Sequence, residues 1–191
     1  MCFVAVAANV AMLEAVDKDK WSAGPASSYQ NKQTISGVTV AAVAHHTEAL
    51  AKPPFGKVNP YQHGILPVLV AIENSKKTSV KIGEMKVEYI DADRSRIEAT
   101  PAGDVKYTVG PRKPNMIPSP IPGLGRGKKN PLTASEIESR AFSAKMLPPG
   151  ESASGFFYFQ TPHHKGAKLY ITGLLDAATG NDLFYFEIPL D

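Results

Sequence analysis

The chain has 191 residues and a formal net charge of +3, with 43% hydrophobic and 20% charged residues. Its length corresponds to roughly one to one and a half ordinary domains, and its apolar fraction is sufficient for a sizeable core. So small a net charge gives no support for nucleic-acid binding, and a single cysteine, Cys2, excludes an internal disulfide. The 16 prolines favour loops, sheet edges and turns, because proline is excluded from helix interiors and central strands.

The first residues of the chain are almost entirely apolar, but residues 2–13 are too few to span a bilayer as a helix. Residues 5–7 form an A-x-A sequence typical of signal-peptide cleavage, yet no Lys or Arg precedes them. Three interpretations of residues 1–16 therefore stay open: a leader remnant, which we favour, an anchor or helix docked on a partner, and a helix packed on its own domain. Small polar residues over 17–33 predict a linker. We expect residues 1–32 to form an N-terminal segment with linker, and residues 33–191 to form one domain.

Strands dominate the first half of this domain. Residues 34–43 are rich in Val, Ile and Thr and predict a first strand with a bulge at Gly37. Breakers such as Pro53 and Pro54 predict a connection over 44–63. Residues 65–73 are apolar almost throughout, which indicates a strand in the middle of a sheet. Further short or alternating strands are predicted over 80–82, 85–90 and 96–99.

The second half begins with about 30 residues that carry no periodic pattern, because prolines and glycines are frequent there and disfavour both helix and strand. Thr133 and Glu136 form a capping-box sequence that predicts a helix to about Lys145. Strands follow over 153–160, 168–174 and 183–190. In the run of residues 156–159, Phe157 and Phe159 should face one side of the sheet, with Phe156 and Tyr158 on the other.

About seven strands with turn signals between them predict an all-β protein, an immunoglobulin-like β-sandwich with one short helix and a long Pro/Gly-rich basic loop. Three stretches support this interpretation: residues 66–74 (LPVLVAIEN), residues 87–98, and residues 147–157 with their Pro-Gly-Glu turn. Together they resemble small extracytoplasmic bacterial domains with an immunoglobulin-like sandwich. The resemblance implies the fold and a periplasmic, secreted or outer-envelope location, but no particular function.

The five histidines are the first candidates for chemistry, and all of them fall in predicted connections. A composite site would need one histidine from each of the three groups, and solvated loop histidines are the favoured interpretation, so no metal ligand is assigned. The groups are His45 with His46, His63, and His163 with His164.

No catalytic constellation is present in the sequence. There is no G-x-S-x-G elbow, and Cys2 has no base near it in the chain. Asp91 and Asp93 fit a hairpin turn better than a calcium loop. The glycines of residues 123–127 have neither the spacing nor the context of a phosphate loop. We therefore expect no enzyme activity and no cofactor.

One basic segment remains as a functional candidate. Residues 105–131 contain six basic residues and no acidic residue, so they carry +6 while the remainder carries −3. The basic residues are Lys106, Arg112, Lys113, Arg126, Lys128 and Lys129. Two interpretations of this segment stay open: it is a solvated loop, or it docks onto an acidic protein surface or membrane headgroups. Nucleic acid is disfavoured, because Tyr107 is the one aromatic residue near these charges.

The sequence thus predicts a non-catalytic binding or structural module of the bacterial cell envelope, as an extrinsic subunit of a membrane-associated complex. Its partner would be a protein with an acidic surface, and membrane contact would use the N-terminal segment or the basic segment. The alternative is a carrier or sensor of a small ligand or metal that uses the histidine-bearing loops.

Overall fold

A computed structural model describes residues 21–108 and 130–191 of the chain. Eleven strands form three antiparallel sheets in this part: β1 Lys32–Ile35, β2 Val38–Ala44, β3 Leu66–Asn74, β4 Val80–Lys81, β5 Lys86–Ile90, β6 Arg96–Glu98, β7 Met146–Leu147, β8 Ser152–Phe159, β9 Lys168–Thr172, β10 Leu175–Asp176 and β11 Phe186–Pro189. Two short α-helices, α1 Glu48–Phe55 and α2 Ser135–Ser139, and four 3₁₀ turns accompany them. Among the described residues, no helix has the length and apolar character needed to cross a membrane.

The two larger sheets pack as a sandwich with strand orders β1-β2-β3-β8 and β11-β9-β5-β6. Without β1, these orders correspond to strands A-B-E and G-F-C-C′ of an immunoglobulin fold. The predicted all-β sandwich is confirmed. The seven matching strands account for most of it, and β1 together with the small sheet β10-β4-β7 raises the number above the predicted seven.

The predicted first strand is in fact a hairpin. Ser36 and Gly37 both have positive φ, 49° and 81°, which is the conformation of a type I′ turn. The turn joins β1 to β2 in the register Ile35 to Val38. The bulge predicted at Gly37 is therefore wrong: the glycine permits a tight reversal and not an extra residue in one strand.

The centre of the sandwich is β3, which pairs with β2 on one side and β8 on the other. All its residues except Glu73 are buried, because the inner face packs in the core and the outer face is covered. Pro67 is tolerated as the second residue of the strand, because the ladder there requires only its carbonyl, which accepts from the His45 N–H at 2.8 Å.

The aromatic residues of β8 divide between its two faces, as the alternating pattern predicts. Phe159 and the half-buried Phe157 pack with the core between the sheets, and Phe156 and Tyr158 belong to a second cluster on the outer face. Helix α1 covers that outer face through Phe55, whose ring lies 4.7 Å from that of Phe156. The pair that a two-layer sandwich would leave bare is therefore buried.

Helix positions differ from the sequence-based expectation. The connection predicted over 44–63 contains α1, whose first turn is capped by Thr47 and whose end is set by Gly56 at φ 63°. The helix predicted to run to Lys145 ends at Ser139. Its capping box does not form, because the Thr133 hydroxyl donates to the Asn130 carbonyl at 2.7 Å.

The described part of the predicted linker lies against the sandwich. Ala26 is fully buried, and the Trp21 ring packs 5.5 Å from the ring of Phe156. Arg140 fixes this segment by donating from Nη1 to the Trp21 carbonyl and by stacking over its indole ring at 5.2 Å. Small polar residues predicted a linker, but Trp21 and Ala26 supply enough apolar contact to dock residues 21–31.

Asn74 gives a physical basis to the sequence resemblance. Its fully buried amide group donates to the carbonyls of Thr78, Leu147 and Pro148 at 2.9–3.0 Å. Its own backbone carbonyl accepts from Gly150 N–H at 2.7 Å. The asparagine that ends β3 thus holds the Pro-Gly-Glu turn in place, so two of the three resembling stretches form one structural unit.

Candidate functional site

The sandwich is open along one side, beside the edge of β8. An immunoglobulin sheet of the A-B-E-D type would place a strand D there, and no such strand lies beside β8 in the described residues. Instead the chain crosses from β6 and bonds once to β8, through Thr100 N–H to the Tyr158 carbonyl at 2.7 Å. The opening is a cleft of about 630 Å³ between β5 and β8.

Two half-buried phenylalanines form the apolar wall of this cleft. Phe157 reaches it from β8, and Phe142 stacks on Phe157 with ring centroids 5.5 Å apart and an interplanar angle of 24°. Met85, Val87, Ala99 and Ala102 extend the apolar surface. Partly exposed aromatic rings in a concave site of this volume are typical of a binding pocket.

A glycine allows Phe142 to reach that position. A Cβ on Gly155 would lie 2.4 Å from the Phe142 Cα, closer than any side chain permits. Because Gly155 has no Cβ, the segment 140–142 can run along β8. The Phe142 N–H donates to the Phe156 carbonyl at 3.1 Å, and the Phe156 N–H donates to the Arg140 carbonyl at 2.9 Å. This pairing also ends α2 early: the Arg140 N–H still bonds to the Glu136 carbonyl as the last helical bond, but the Arg140 carbonyl accepts from β8 and the chain continues along that strand.

Charged residues of β5 and β6 border the cleft, and strand alternation places their side chains on the outer face of this sheet, opposite the core-facing Val87. Glu88 and Glu98 lie opposite each other in the register of the two strands. Arg96 neutralises Glu88 through a contact of 2.9 Å between Nη1 and Oε2. In the parts of the chain that the structure describes, Glu98 and Lys86 form no ion pair. The cleft therefore has an aromatic wall and is bordered by charged residues of both signs.

Sequence reasoning missed this cleft. Of the basic residues that it singled out, Lys106 alone is described, with Nζ 3.4 Å from Glu138 Oε1 and 5.4 Å from the Tyr107 ring centroid. The other five, Arg112, Lys113, Arg126, Lys128 and Lys129, lie outside the described residues, as do Cys2 and the glycines of 123–127. The Lys106 carbonyl accepts from Asn130 Nδ2 at 2.7 Å, so the residues on either side of segment 109–129 are in contact.

Three of the histidines meet at one end of the sandwich. His46 and His163 stack with ring centroids 4.6 Å apart, and His164 Nδ1 lies 2.6 Å from Asp91 Oδ2. Burial lowers the pKa of His163, and the neighbouring His46 lowers it further. His45 is turned away and packs against Phe156, where burial also lowers its pKa. His63 is exposed and apart from this group.

This cluster supplies fewer than three metal-binding side chains in one place among the described residues. Within 21–108 and 130–191, no three His, Cys, Asp or Glu side chains are placed to hold an ion together. The composite site with one histidine from each group does not form, because His63 does not join the others. Asp91 and Asp93 form the predicted turn: Asp93 Oδ1 accepts from the Ser95 N–H at 2.8 Å, and hydrogen bonds from Ser95 lower the Asp93 pKa.

No family model matches the chain, and no curated protein matches it. Similar solved structures include the YjhA protein of Bacillus subtilis, which is 12% identical with a TM-score of 0.43 and matches over 84% of this chain and 96% of its own. The secreted protein MPT63 of Mycobacterium tuberculosis is 11% identical with a TM-score of 0.36, over 86% and 95% of the two chains. YcdA of Bacillus subtilis, a candidate lipoprotein, is 11% identical with a TM-score of 0.40, over 83% of this chain and 38% of its own.

The chain therefore spans well under half the length of YcdA. All three are bacterial β-sandwich-like proteins, and one of them is secreted. Likeness at this level concerns the fold alone and says nothing about ligand, activity or location.

Proposed function

We propose that this protein is a non-catalytic binding module of the bacterial cell envelope, and that its cleft holds an apolar or aromatic side chain of a protein partner. The observation that carries the proposal is the stacked pair Phe142 and Phe157, half-buried at the open side of the sandwich. Two large rings left partly in water stabilise the fold less than buried rings would, and their exposure favours a role in binding.

The charged residues that border the cleft are consistent with the same function. Glu98 and Lys86 lie at the cleft with no ion pair among the described residues. Polar groups at the edge of an apolar site fix the orientation of a ligand more than they raise its affinity. The partner group that fits best is an aromatic or long aliphatic side chain with a charged or polar neighbour.

The test uses N-acetyl-tyrosine amide as a probe, followed by saturation-transfer NMR on the full chain. We expect saturation of the probe's ring protons with the native chain and its loss in Phe142→Ser, which removes one wall of the cleft. Tyr107→Ser is the matched control, because Tyr107 is an exposed aromatic residue that does not line the cleft. Equal transfer to the native chain and to Phe142→Ser would refute the proposed site.

The location and the basic segment belong to the same proposal. The resembling stretches favour an extracytoplasmic position, and an extrinsic subunit of a membrane-associated complex would use residues 105–131 to meet an acidic surface. Replacing Arg126, Lys128 and Lys129 with Ser should release the protein from isolated membranes at lower salt than the native chain, because exposed charges are screened by salt. Unchanged release across a salt series would remove this segment from the interface.

A carrier of a small ligand or metal remains the second candidate, on one observation. His46 Nδ1 contacts the Ala44 carbonyl at 3.1 Å and His164 Nδ1 contacts Asp91, which is the arrangement that leaves Nε2 as the ligand atom in metal sites. Calorimetry with zinc would test it. Binding that is lost in His46→Gln would favour this candidate, and no binding by the native chain would eliminate it.

A further inference from the structure

A second pocket lies on the outer face of the sheet β11-β9-β5-β6, at the end where β5 turns into β6. Its volume is about 350 Å³, and it shares no lining residue with the cleft. Ile90 of β5 lines it, with Arg96 of β6 directly opposite on one side and Lys168 of β9 directly opposite on the other. Residues paired in this way share one face of a sheet, so two cations flank an apolar side chain in the pocket.

A third cation, Arg94, reaches the pocket from the turn over 91–95. Its backbone has φ 70°, a left-handed conformation that glycine or asparagine adopts more readily. The turn uses only its backbone, because the Arg94 N–H donates to the Asp91 carbonyl at 2.9 Å. The Arg94 side chain is exposed and forms no ion pair within the described residues. Neither the turn nor the core therefore explains an arginine at this position.

The two carboxylates that line the pocket, Asp91 and Glu187, are already bonded elsewhere. Asp91 Oδ2 lies 2.6 Å from His164 Nδ1, and Glu187 Oε1 lies 2.5 Å from Lys168 Nζ. Neither carboxylate forms an ion pair with Arg94. The pocket therefore keeps one positive charge that no acidic side chain neutralises among the residues that the structure describes.

Arg96 and Lys168 also keep hydrogen-bond donors for a ligand. Arg96 makes one contact to a carboxylate, from Nη1 to Glu88 Oε2 at 2.9 Å, and its guanidinium lies 4.9 Å from the centre of the Tyr170 ring. A guanidinium has five N–H donors and an ammonium group has three, so each cation has donors beyond its single ion pair. The contacts to Glu88 and Tyr170 orient Arg96 in advance, which lowers the entropy cost of binding.

We propose that this pocket binds a phosphate group through Arg94, Arg96 and Lys168. Its donors come from a turn and from two strands, which suits a tetrahedral oxyanion better than a planar carboxylate, and arginine binds phosphate through paired N–H donors. A dissolved ligand and a lipid headgroup offer the site the same phosphate chemistry. The site lies outside the cleft, so this inference goes beyond the proposed function and can fail without it.

Titration of the full ¹⁵N-labelled chain with inorganic phosphate, at constant ionic strength, tests the inference. We expect saturable shifts of the Nε–H resonances of Arg94 and Arg96. The Arg140 resonance should stay in place, because Arg140 stacks on Trp21 and does not line the pocket. The dissociation constant should rise at least about tenfold in Arg94→Gly, since a hydrogen bond to a charged group is lost.

Two further variants separate loss of the site from other effects. Glycine adopts φ 70° without strain, so Arg94→Gly should be at least as stable to heat as the native chain. Arg94→Lys should retain part of the affinity, because it keeps the charge and loses the paired donors. Lys77→Gly is the matched control, at an exposed cation outside the pocket with no ion pair among the described residues. Shifts that do not saturate, or equal affinity in Arg94→Gly, would overturn the inference.

Vesicle sedimentation distinguishes the two sources of phosphate. With vesicles of phosphatidylcholine and phosphatidylglycerol, pelleting that falls in Arg94→Gly and not in Lys77→Gly would assign the site to a lipid headgroup. Equal pelleting of the native chain and Arg94→Gly, with saturable binding of inorganic phosphate by the native chain, would assign it to a dissolved ligand. Either result supports the site, and neither depends on whether the tyrosine probe binds the cleft.

Discussion

At the scale of single residues, Gly155 decides whether the cleft has its second phenylalanine. The segment 140–142 passes so close to β8 that a methyl group at position 155 would overlap the Phe142 backbone. No sequence pattern signals this, because Gly155 lies in a strand where period-two alternation alone predicts a normal residue. The close approach is visible only when residues distant in sequence are placed together.

We expect Gly155→Ala to destabilise the protein by about 1–3 kcal/mol, because a packed segment must move to accommodate the methyl group. It should also weaken probe binding, since Phe142 moves with the segment. Urea unfolding measures the stability change. Gly103→Ala is the matched control, because its Cβ would meet nothing within 4 Å. Equal effects of the two substitutions would contradict the close approach.

At the scale of elements, alternation predicted the faces of β8 correctly but could not predict what covers them. Phe156 lies under α1, whose breakers Pro53 and Pro54 concealed the helix. The residues predicted to extend α2 instead pair with β8. In both cases long-range contacts override the local sequence preference, as they commonly do in short helices.

Alanine substitutions on the two faces of β8 should lower the free energy of unfolding by different amounts. Phe156→Ala should cost about 3–5 kcal/mol, because its ring is buried against Phe55, Trp21 and His45. Phe157→Ala should cost less, since its ring is half-buried at the cleft. Chemical denaturation of the two variants measures the difference. A larger loss for Phe157→Ala would place it in the closed core and argue against an open cleft.

At the scale of the whole molecule, the sandwich was predictable and the site was not. Turn chemistry and strand periodicity specify the sheets, and Asn74 marks a turn that the resemblance also contains. The cleft is formed where the chain crosses between sheets near Thr100 and returns near Phe142, and no local pattern encodes that path. Sequence reasoning therefore concentrated on the basic segment, whose charge is visible without a fold.

The histidine end of the molecule should make stability depend on pH. Burial holds the pKa of His45 and His163 below the unfolded value of 6.5 in the folded state. The side chain of His163 is 7% exposed and faces His46, His164, Tyr89 and Asp191. The unfolded chain therefore takes up protons first as pH falls. The contribution of these two neutral histidines to the free energy of unfolding is therefore complete above pH 6.5 and is lost as the pH falls below it.

Urea unfolding over a series of pH values on both sides of 6.5 measures this dependence. His163→Gln should make it shallower, because one buried histidine no longer titrates. His63→Gln, at an exposed histidine, should leave it as it is in the native chain. Identical slopes for the native chain and His163→Gln would show that His163 does not couple to folding.

The central claim is that the cleft between β5 and β8 is the binding site, and two methionines allow a direct test. Met85 lines the cleft, and Met146 is 51% exposed in β7, outside it. With ¹³C-methyl-labelled methionine, titration with N-acetyl-tyrosine amide should shift the Met85 methyl resonance through the ring current of the bound probe and leave Met146 in place. A shift of Met146 with an unmoved Met85, or no saturable shift of Met85 at any probe concentration, would contradict the claim.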